Sequence, residues 1–197
     1  MKKITKIISV IVFLILTSNM ATADEKVLKI GNNNSKIVIK VFSSLTCPHC
    51  ANFHLKSFEN LKNDFIDKDI LRFEHHSFPL DLAALNAELI VRCAESTEKK
   101  FQLLSEIYKK QKQWAVGSDI NIINESIKKI GLENGLNEEK MEGCLNDEIK
   151  QDQILNERIE AQKKYKIQST PTILINEKKF NGKSNYTELK KAIEKLF

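Results

Sequence analysis

The chain has 197 residues, with 31 lysines and arginines against 26 acidic residues and a formal net charge of +5. Residues 1–23 hold three lysines and no acid, so the remainder carries a net charge of only +2. No basic patch is interleaved with aromatic residues, so nucleic acid is not an expected partner. The length suits one domain, with or without an insertion.

The first 23 residues have the pattern of a secretory signal peptide. Three lysines come first, residues 7–16 form an apolar centre, and residues 21–23 (Ala-Thr-Ala) resemble a cleavage site. We expect cleavage before Asp24 and export to the periplasm. An uncleaved membrane anchor is the alternative, although this apolar run is short for a membrane span of about 20 residues.

The next segment predicts strand, helix and strand in turn. Strands are expected at 27–30 and 37–42, and a half-buried strand at 71–78, where apolar and polar residues alternate. Between them, a helix is expected from Cys47 to about Phe65. Its apolar stripe has helical spacing and comprises Ala51, Leu55, Phe58, Leu61 and Phe65.

The second half of the chain predicts a long helical block and a return to the sheet. Helix is expected from Leu80 to about Tyr165, with breaks near Ser96, near Gly117 and through residues 131–135. The end of the chain predicts a strand at 172–175, a turn at 176–179, a final strand that includes Phe180, and a helix over 186–197.

This order predicts an α/β fold in which two sheet-forming segments flank an all-helical insertion. After the signal peptide at 1–23, the sheet domain is expected at 24–79 and 150–197. The helical insertion is expected at 80–149.

The most informative motif is Cys47-Pro48-His49-Cys50, between a buried strand and a helix. A thiol at a helix start meets unpaired backbone N–H groups and the positive end of the helix dipole, which favour the reactive thiolate. Pro48 suits the first helical position. We therefore predict that Cys47 is an exposed nucleophile. Cys50, one turn further along, is predicted to close a disulfide with it.

Two other interpretations of this motif are open. A structural disulfide would close so short a loop that it would add little stability. A zinc site would need two more ligands, and the only other close pair is His75-His76, whose side chains alternate across a strand. We expect no metal and no cofactor.

Residues 42–50 and Ser169-Thr170-Pro171-Thr172 together resemble the DsbA family of thioredoxin-fold oxidoreductases. The resemblance implies a thioredoxin fold with an inserted helical subdomain and a cis-proline at Pro171 that faces the cysteines. It implies a secreted enzyme, taken to be a monomer, that passes its disulfide to reduced, folding secreted proteins. A membrane partner of the DsbB type would reoxidise it.

The resemblance also implies roles for the residues beside the cysteines. His49 would tune the oxidising strength, and Thr170 would contact an extended substrate segment. One position departs from the family pattern. Many thioredoxin-fold enzymes have a buried acid that assists proton transfer from the second cysteine, here Cys50, and Val41 stands at that position in this chain. Threonine before the proline also occurs in isomerases and reductases, so either is an alternative to an oxidase. A non-catalytic binding module or chaperone is another, and it would have a buried, slow Cys47.

The remaining cysteines, Cys93 and Cys144, both lie in the predicted helical block. An oxidising compartment and an even cysteine count predict that they form a second, structural disulfide. Two buried free thiols are the alternative. Neither cysteine follows an activating helix start, so this bridge is expected to resist exchange.

Overall fold

The computed structural model describes residues 27–197, so the predicted signal peptide lies outside the described residues. The strands form one mixed sheet in the order β1-β3-β2-β4-β5. Strands β2 and β3 are parallel, and the other neighbours are antiparallel. The strands are β1 (Leu28–Ile30), β2 (Ile37–Ser43), β3 (Leu71–Ser77), β4 (Thr172–Ile175) and β5 (Lys178–Lys179).

Helix α1 makes the crossover between β2 and β3. It is α-helical at Pro48–Asn52 and Glu59–Leu61 and π-helical at Phe53–Phe58 and Lys62–Ile66. The wider π turns rotate the side chains about the helix axis. Leu55, which was predicted to face the core, is therefore 39% exposed, while Phe53 and His54 are buried. The predicted apolar stripe is wrong at Leu55.

Between β3 and β4 the chain is helical. Its helices are α2 (Leu82–Arg92), α3 (Thr97–Lys109), α4 (Gln111–Trp114), α5 (Ile120–Glu133), α6 (Glu138–Leu145) and α7 (Glu148–Tyr165). Breaks near Ser96 and Gly117 agree with the sequence. The break expected from residue 131 begins only at Asn134. Gly131 is still helical, and its missing Cβ leaves room for the Met141 sulfur. Breaks at Lys110 and at residues 146–147 were not expected.

The end of the chain forms a hairpin and a helix. Asn176 and Glu177 have positive φ angles of 47° and 67° and make the tight turn between β4 and β5. The predicted turn was therefore too long, and Phe180 lies just after β5, where its N–H donates to the Ile173 carbonyl at 2.8 Å. Helix α8 (Tyr186–Glu194) then packs on the sheet side that holds α1.

Helices cover both faces of the sheet. Val41, Phe73 and Ile173 face the main core with α1, α8 and the helical block, whereas Phe42 and Leu174 pack with Ala161 of α7 on the other face. Strand β3 is therefore not half-buried as predicted. Even Glu74, on the second face, is only 5% exposed, and it pairs with Arg72, Lys40 and His76. Within residues 27–197, no helix has the length and hydropathy to cross a bilayer.

Candidate active site

Cys47 lies where the chain leaves β2 and enters α1. It immediately precedes the first helical residue, Pro48, and its backbone is extended (φ −80°, ψ 118°). Its carbonyl accepts hydrogen bonds from the N–H groups of Cys50 and Ala51, both at 3.1 Å. The Cys47 sulfur therefore stands beside the first N–H groups and the positive dipole end of α1.

Cys47 is less exposed than the motif predicts. The residue keeps 7% of its surface accessible and Cys50 keeps 0%, whereas Pro48 and His49 are exposed. The Thr170 carbonyl oxygen lies 3.4 Å from Cys47 Sγ, and the Gln111 side chain donates to the Cys47 carbonyl at 3.1 Å. Because these neighbours cover Cys47, the prediction of an exposed sulfur is wrong. Cys47 remains the more accessible of the two cysteines.

The two sulfurs interact and acquire opposite acidities. A hydrogen bond from the Cys50 thiol is the largest cause that lowers the pKa of Cys47 from 9.0 to about 5. The Thr170 side chain and the N–H groups of Cys50 and His49 add to this shift, while burial opposes it. Burial, followed by the interaction with Cys47, raises the pKa of Cys50. Cys47 is therefore a thiolate near neutral pH, and Cys50 is a thiol.

The segment that precedes β4 faces the cysteine pair. The Thr170–Pro171 peptide bond is cis, the isomer expected from the sequence. The Thr172 hydroxyl donates to the Ser169 carbonyl at 2.6 Å and closes the turn. The Thr170 hydroxyl is buried without a well-formed hydrogen bond to any described residue, and it helps to lower the pKa of Cys47.

Two cavities lie beside residues of this site. One, of about 220 Å³, is lined in part by Ser169, Pro171 and Phe180. The other, of about 530 Å³, is lined by Thr46, the N-terminal residues of α2 and residues from the start of α5. The second is the more apolar, and the half-exposed Leu82 contributes to it.

A buried polar cluster lies on the same side of the sheet as α1. His75 Nε2 is 3.1 Å from Glu88 Oε2, and both residues are almost fully buried. Burial alone would raise the pKa of Glu88, but His75 and Arg92 outweigh it and lower that pKa to about 2. Burial lowers the pKa of His54 to about 3, so this histidine is a neutral core residue.

Sequence reasoning missed Glu88, Tyr108 and Gln111. Glu88 carried a usable signal, since it is the one acid inside a mostly apolar helical stretch at residues 82–91. Tyr108 and Gln111 carried none, because an aromatic or amide residue in an amphipathic helix is ordinary. All three come from the helical block, and Gln111 is the one that contacts the cysteine pair, through its hydrogen bond to the Cys47 carbonyl.

The other two cysteines are joined in a disulfide within the helical block. Cys93 follows the last residue of α2, Cys144 lies in the last turn of α6, and their Cα atoms are 6.0 Å apart. The pairing agrees with the sequence prediction. In residues 27–197, no group of three or more His, Cys, Asp or Glu side chains is arranged to hold a metal ion.

Comparison with known proteins identifies the family. A family model described as "Thioredoxin" matches residues 23–195, and the chain belongs to this family. The structure of Wolbachia pipientis alpha-DsbA1 is similar, with a TM-score of 0.79 and 25% identity over 86% of this chain and 90% of the other. The fold is therefore a thioredoxin fold with a helical insertion, shared with DsbA proteins.

Two curated relatives are similar in sequence. A Rickettsia bellii protein named "Putative protein-disulfide oxidoreductase" is 29% identical over 153 residues, which cover 78% of this chain and 58% of that protein. "Disulfide bond formation protein D" of Bacillus subtilis is 26% identical over 175 residues, which cover 84% of this chain and 75% of that protein. The chain thus spans little more than half the length of its rickettsial relative.

Proposed function

We propose that the protein is a protein-disulfide oxidase, which donates a Cys47–Cys50 disulfide to other proteins. The observation that carries this proposal is the pair of opposed acidities at the start of α1, with Cys47 at a pKa of about 5 beside a buried, protonated Cys50. A thiol of low pKa is a good leaving group, and a stabilised thiolate in the reduced protein makes the disulfide a stronger oxidant.

The exchange is a two-step transfer of one disulfide. A substrate thiolate attacks Cys47 Sγ, the Cys47–Cys50 bond breaks, and Cys50 leaves with the electron pair and gains a proton. The second substrate thiolate then attacks the substrate sulfur of this mixed disulfide, and Cys47 leaves as a thiolate. The substrate is oxidised and the protein is reduced by two electrons. Cys47 is the nucleophile when the reaction runs in reverse.

The proposed substrates are reduced, unfolded or folding secreted proteins. The cavities lined by Pro171 and by Thr46 provide contacts for an extended segment whose cysteine reaches Cys47. The relatives named for disulfide bond formation and protein-disulfide oxidoreduction support this substrate class. Thr170 and Pro171 are the proposed substrate contacts. Pro48 and His49 are exposed between the two cysteines and belong to the same proposed site.

The cellular setting belongs to the same proposal. Residues 1–23 are the proposed signal peptide, and export would place a monomer in the periplasm. There a membrane reoxidase of the DsbB type would restore the disulfide. The proposed domain division assigns residues 24–79 and 150–197 to the thioredoxin-like domain and 80–149 to the helical insertion.

One observation favours a second candidate, a non-catalytic binding module. Cys47 exposes only 7% of its surface, and a module would keep that sulfur slow to react. The acidity of Cys47 favours the enzyme, because a binding module has no use for a stabilised thiolate.

The test is the redox equilibrium of the Cys47–Cys50 pair against glutathione, with a reduced two-cysteine peptide as substrate. An oxidase is expected to keep the pair largely reduced at glutathione ratios that oxidise ordinary structural thiols, and to oxidise the peptide stoichiometrically. A strongly reducing equilibrium would instead support a reductase or isomerase. No exchange in either direction would support the binding module.

A further inference from the structure

The turn between β2 and α1 sets the direction in which the Cys47 side chain leaves the backbone. The Cys47 N–H donates to the Ser44 carbonyl at 3.1 Å, which closes a tight turn over residues 44–47. Leu45, inside this turn, is 2% exposed, so its carbonyl group needs a donor within the protein. The conformation of the turn, together with the ψ angle of Cys47 (118°), decides where Cys47 Sγ lies relative to the first N–H groups of α1.

The Gln111 side chain supplies that donor from the helical block. Gln111 Nε2 is 2.7 Å from the Leu45 carbonyl oxygen and 3.1 Å from the Cys47 carbonyl oxygen, and the residue is buried. An amide nitrogen has two hydrogens, so each carbonyl can accept one of them. Because both partners are carbonyl oxygens, the amide nitrogen and not the amide oxygen must face them. Within the described part of the chain, the Leu45 carbonyl has no other donor, whereas the Cys47 carbonyl also accepts from two N–H groups of α1.

The backbone of Gln111 is fixed by the break between α3 and α4. The break lies at Lys110, and Gln111 is the first residue of α4. This helix is a single turn whose last residue, Trp114, is 2% exposed and donates its indole N–H to the Ile107 carbonyl of α3 at 2.8 Å. The bond ties α4 back onto α3 and leaves Gln111 buried, whereas Gln113 of the same turn is exposed. The flexible side chain of Gln111 therefore starts from a rigid base.

A second contact holds the same turn from the start of α2. The Thr46 hydroxyl donates to the Asp81 carboxylate at 2.7 Å, and it lies 3.1 Å from the Ser44 hydroxyl. This contact fixes the side chain in the middle of the turn but leaves the carbonyl groups on either side of Thr46 free to rotate. Gln111 bonds both of those carbonyl groups, so the orientation of the peptide group that follows Cys47 depends on Gln111 as well as on α1.

We propose that Gln111 is a positioning residue for disulfide exchange, which orients the Cys47 backbone so that Sγ stays between the start of α1 and the Thr170 carbonyl oxygen. The inference rests on the proposed disulfide exchange. Fixed N–H groups stabilise a thiolate only while the sulfur keeps its place beside them. Without the two bonds from Gln111, the turn relaxes and the Cys47 thiolate of the reduced protein loses part of this stabilisation. The disulfide form carries no charge on sulfur, so the equilibrium moves towards the disulfide and the protein becomes a weaker oxidant.

The test compares Gln111→Met with the parent protein by alkylation and by redox equilibrium. Methionine is unbranched and similar in length to glutamine, but it has no hydrogen to donate. In the reduced variant, the midpoint of Cys47 alkylation by iodoacetamide should rise by about one pH unit. The equilibrium with glutathione near neutral pH should become less oxidising by about tenfold, which is the same change in thiolate stabilisation. Both measurements report the thiolate itself, so a residue that only stabilises the fold would leave both unchanged.

Gln151→Met is the matched control. Gln151 Nε2 also donates to a backbone carbonyl, that of Leu145, at 2.8 Å, and it does so at the junction of α6 and α7. Urea unfolding should show that both variants lose stability, while only Gln111→Met changes the alkylation midpoint and the redox equilibrium. If Gln111→Met loses stability but keeps the parent's midpoint and equilibrium, Gln111 has a structural role alone and the proposal is wrong.

A second measurement uses the parent protein without any substitution. Hydrogen exchange followed by NMR should show that the side-chain amide protons of Gln111 exchange with water more slowly than those of the exposed Gln113. Equal exchange rates would mean that the two bonds to the turn do not persist, and they would overturn the proposal even if Gln111→Met failed to fold.

The outcomes separate this inference from the proposed function. If the Cys47–Cys50 pair of the parent does not exchange with glutathione, the proposed function is wrong. If the parent exchanges as proposed and Gln111→Met matches it in both midpoint and equilibrium, the positioning role is wrong and the exchange stands.

Discussion

The protein contains two pairs of cysteines, and the helix ends that hold them differ. Cys47 precedes the first residue of α1, so its sulfur meets the positive end of a helix. Cys93 follows the last residue of α2, and Cys144 lies in the last turn of α6, so both meet the negative end. The first pair is free in the structure, and the second is joined.

This difference teaches that position along a helix separates reactive from structural cysteines in one fold. A positive helix end stabilises a thiolate and therefore a leaving group, whereas a negative end favours the neutral thiol or the disulfide. The sequence separation within each cysteine pair also distinguishes a reactive pair from a structural one. Cys47 and Cys50 are three residues apart, whereas Cys93 and Cys144 are 51 apart and close a loop long enough to stabilise the fold.

The largest expected effect is the loss of turnover when either cysteine of the first pair is replaced. Cys50→Ser cannot form the Cys47–Cys50 disulfide and so has no disulfide to donate. With a substrate that is already a disulfide, the Cys47 thiolate should displace one substrate thiol and stay trapped as a mixed disulfide, because no internal thiol can release it. Mass analysis should find substrate adducts at Cys47 in Cys50→Ser. Turnover should persist in the Cys93→Ala/Cys144→Ala control. Adducts that form at position 50 in Cys47→Ser, and never at Cys47, would reverse the two roles.

The second effect is a loss in the free energy of unfolding, and it should be large only when Cys93 and Cys144 are replaced. The two cysteines are 51 residues apart in the sequence. From the chain entropy of a loop of this length, replacing both in Cys93→Ala/Cys144→Ala should lower the free energy of unfolding by about 4 kcal/mol. Urea unfolding of the oxidised forms measures this, with Cys47→Ala/Cys50→Ala as the control, which should lose much less. Equal losses in both double variants would mean that the two bridges have the same structural role.

A third effect is selective reduction. Mild reductant should open a Cys47–Cys50 disulfide at least about tenfold faster than Cys93–Cys144. After the reductant attacks Cys47 and displaces Cys50, the stabilised Cys47 thiolate leaves readily in the second step. Timed alkylation with mass readout gives both rates in one sample. Opening of the Cys93–Cys144 bond first would show that helix-end position does not govern reactivity here.

The fourth effect is a pH dependence that only the first pair should have. The folded pKa of Cys47, about 5, lies below its ordinary 9.0, so between these values the folded protein binds fewer protons there than the unfolded chain. The stability of the selectively reduced protein, relative to Cys47→Ser, should therefore rise with pH between about 5 and 9 and be lost as pH falls through about 5. Parallel urea-unfolding curves for the two proteins across this range would contradict the assigned acidity.

The smallest effect is expected at His49. Its backbone N–H helps to lower the pKa of Cys47, while its side chain is exposed. His49→Ala keeps the N–H, so the equilibrium with glutathione should become less oxidising by under about tenfold, which corresponds to less than one pKa unit. A larger loss would mean that the imidazole itself holds the thiolate.

The sequence was sufficient where a local pattern has one physical meaning. A buried strand, a Cys-Pro-His-Cys segment and a helical stripe placed Cys47 at the start of α1, and an even cysteine count paired Cys93 with Cys144. It failed where contacts come from distant segments. Gln111 covers Cys47 from far along the chain, and α7 buries Glu74 on a strand face that was expected to meet solvent. The Thr170 segment, in contrast, lies beside Cys47 as the resemblance implied. The π turns that expose Leu55 leave no signature in the apolar spacing.

The most direct test of this account is the pH dependence of Cys47 alkylation in the reduced protein. Iodoacetamide reacts with the thiolate, so its rate against pH reports the pKa of the sulfur that it modifies. The account predicts that Cys47 is modified first, with a midpoint near pH 5, and that the midpoint moves up in Cys50→Ala, where no side-chain donor to Cys47 remains. A midpoint near 9 in the parent, or equal rates for Cys47 and for Cys93 after full reduction, would contradict it.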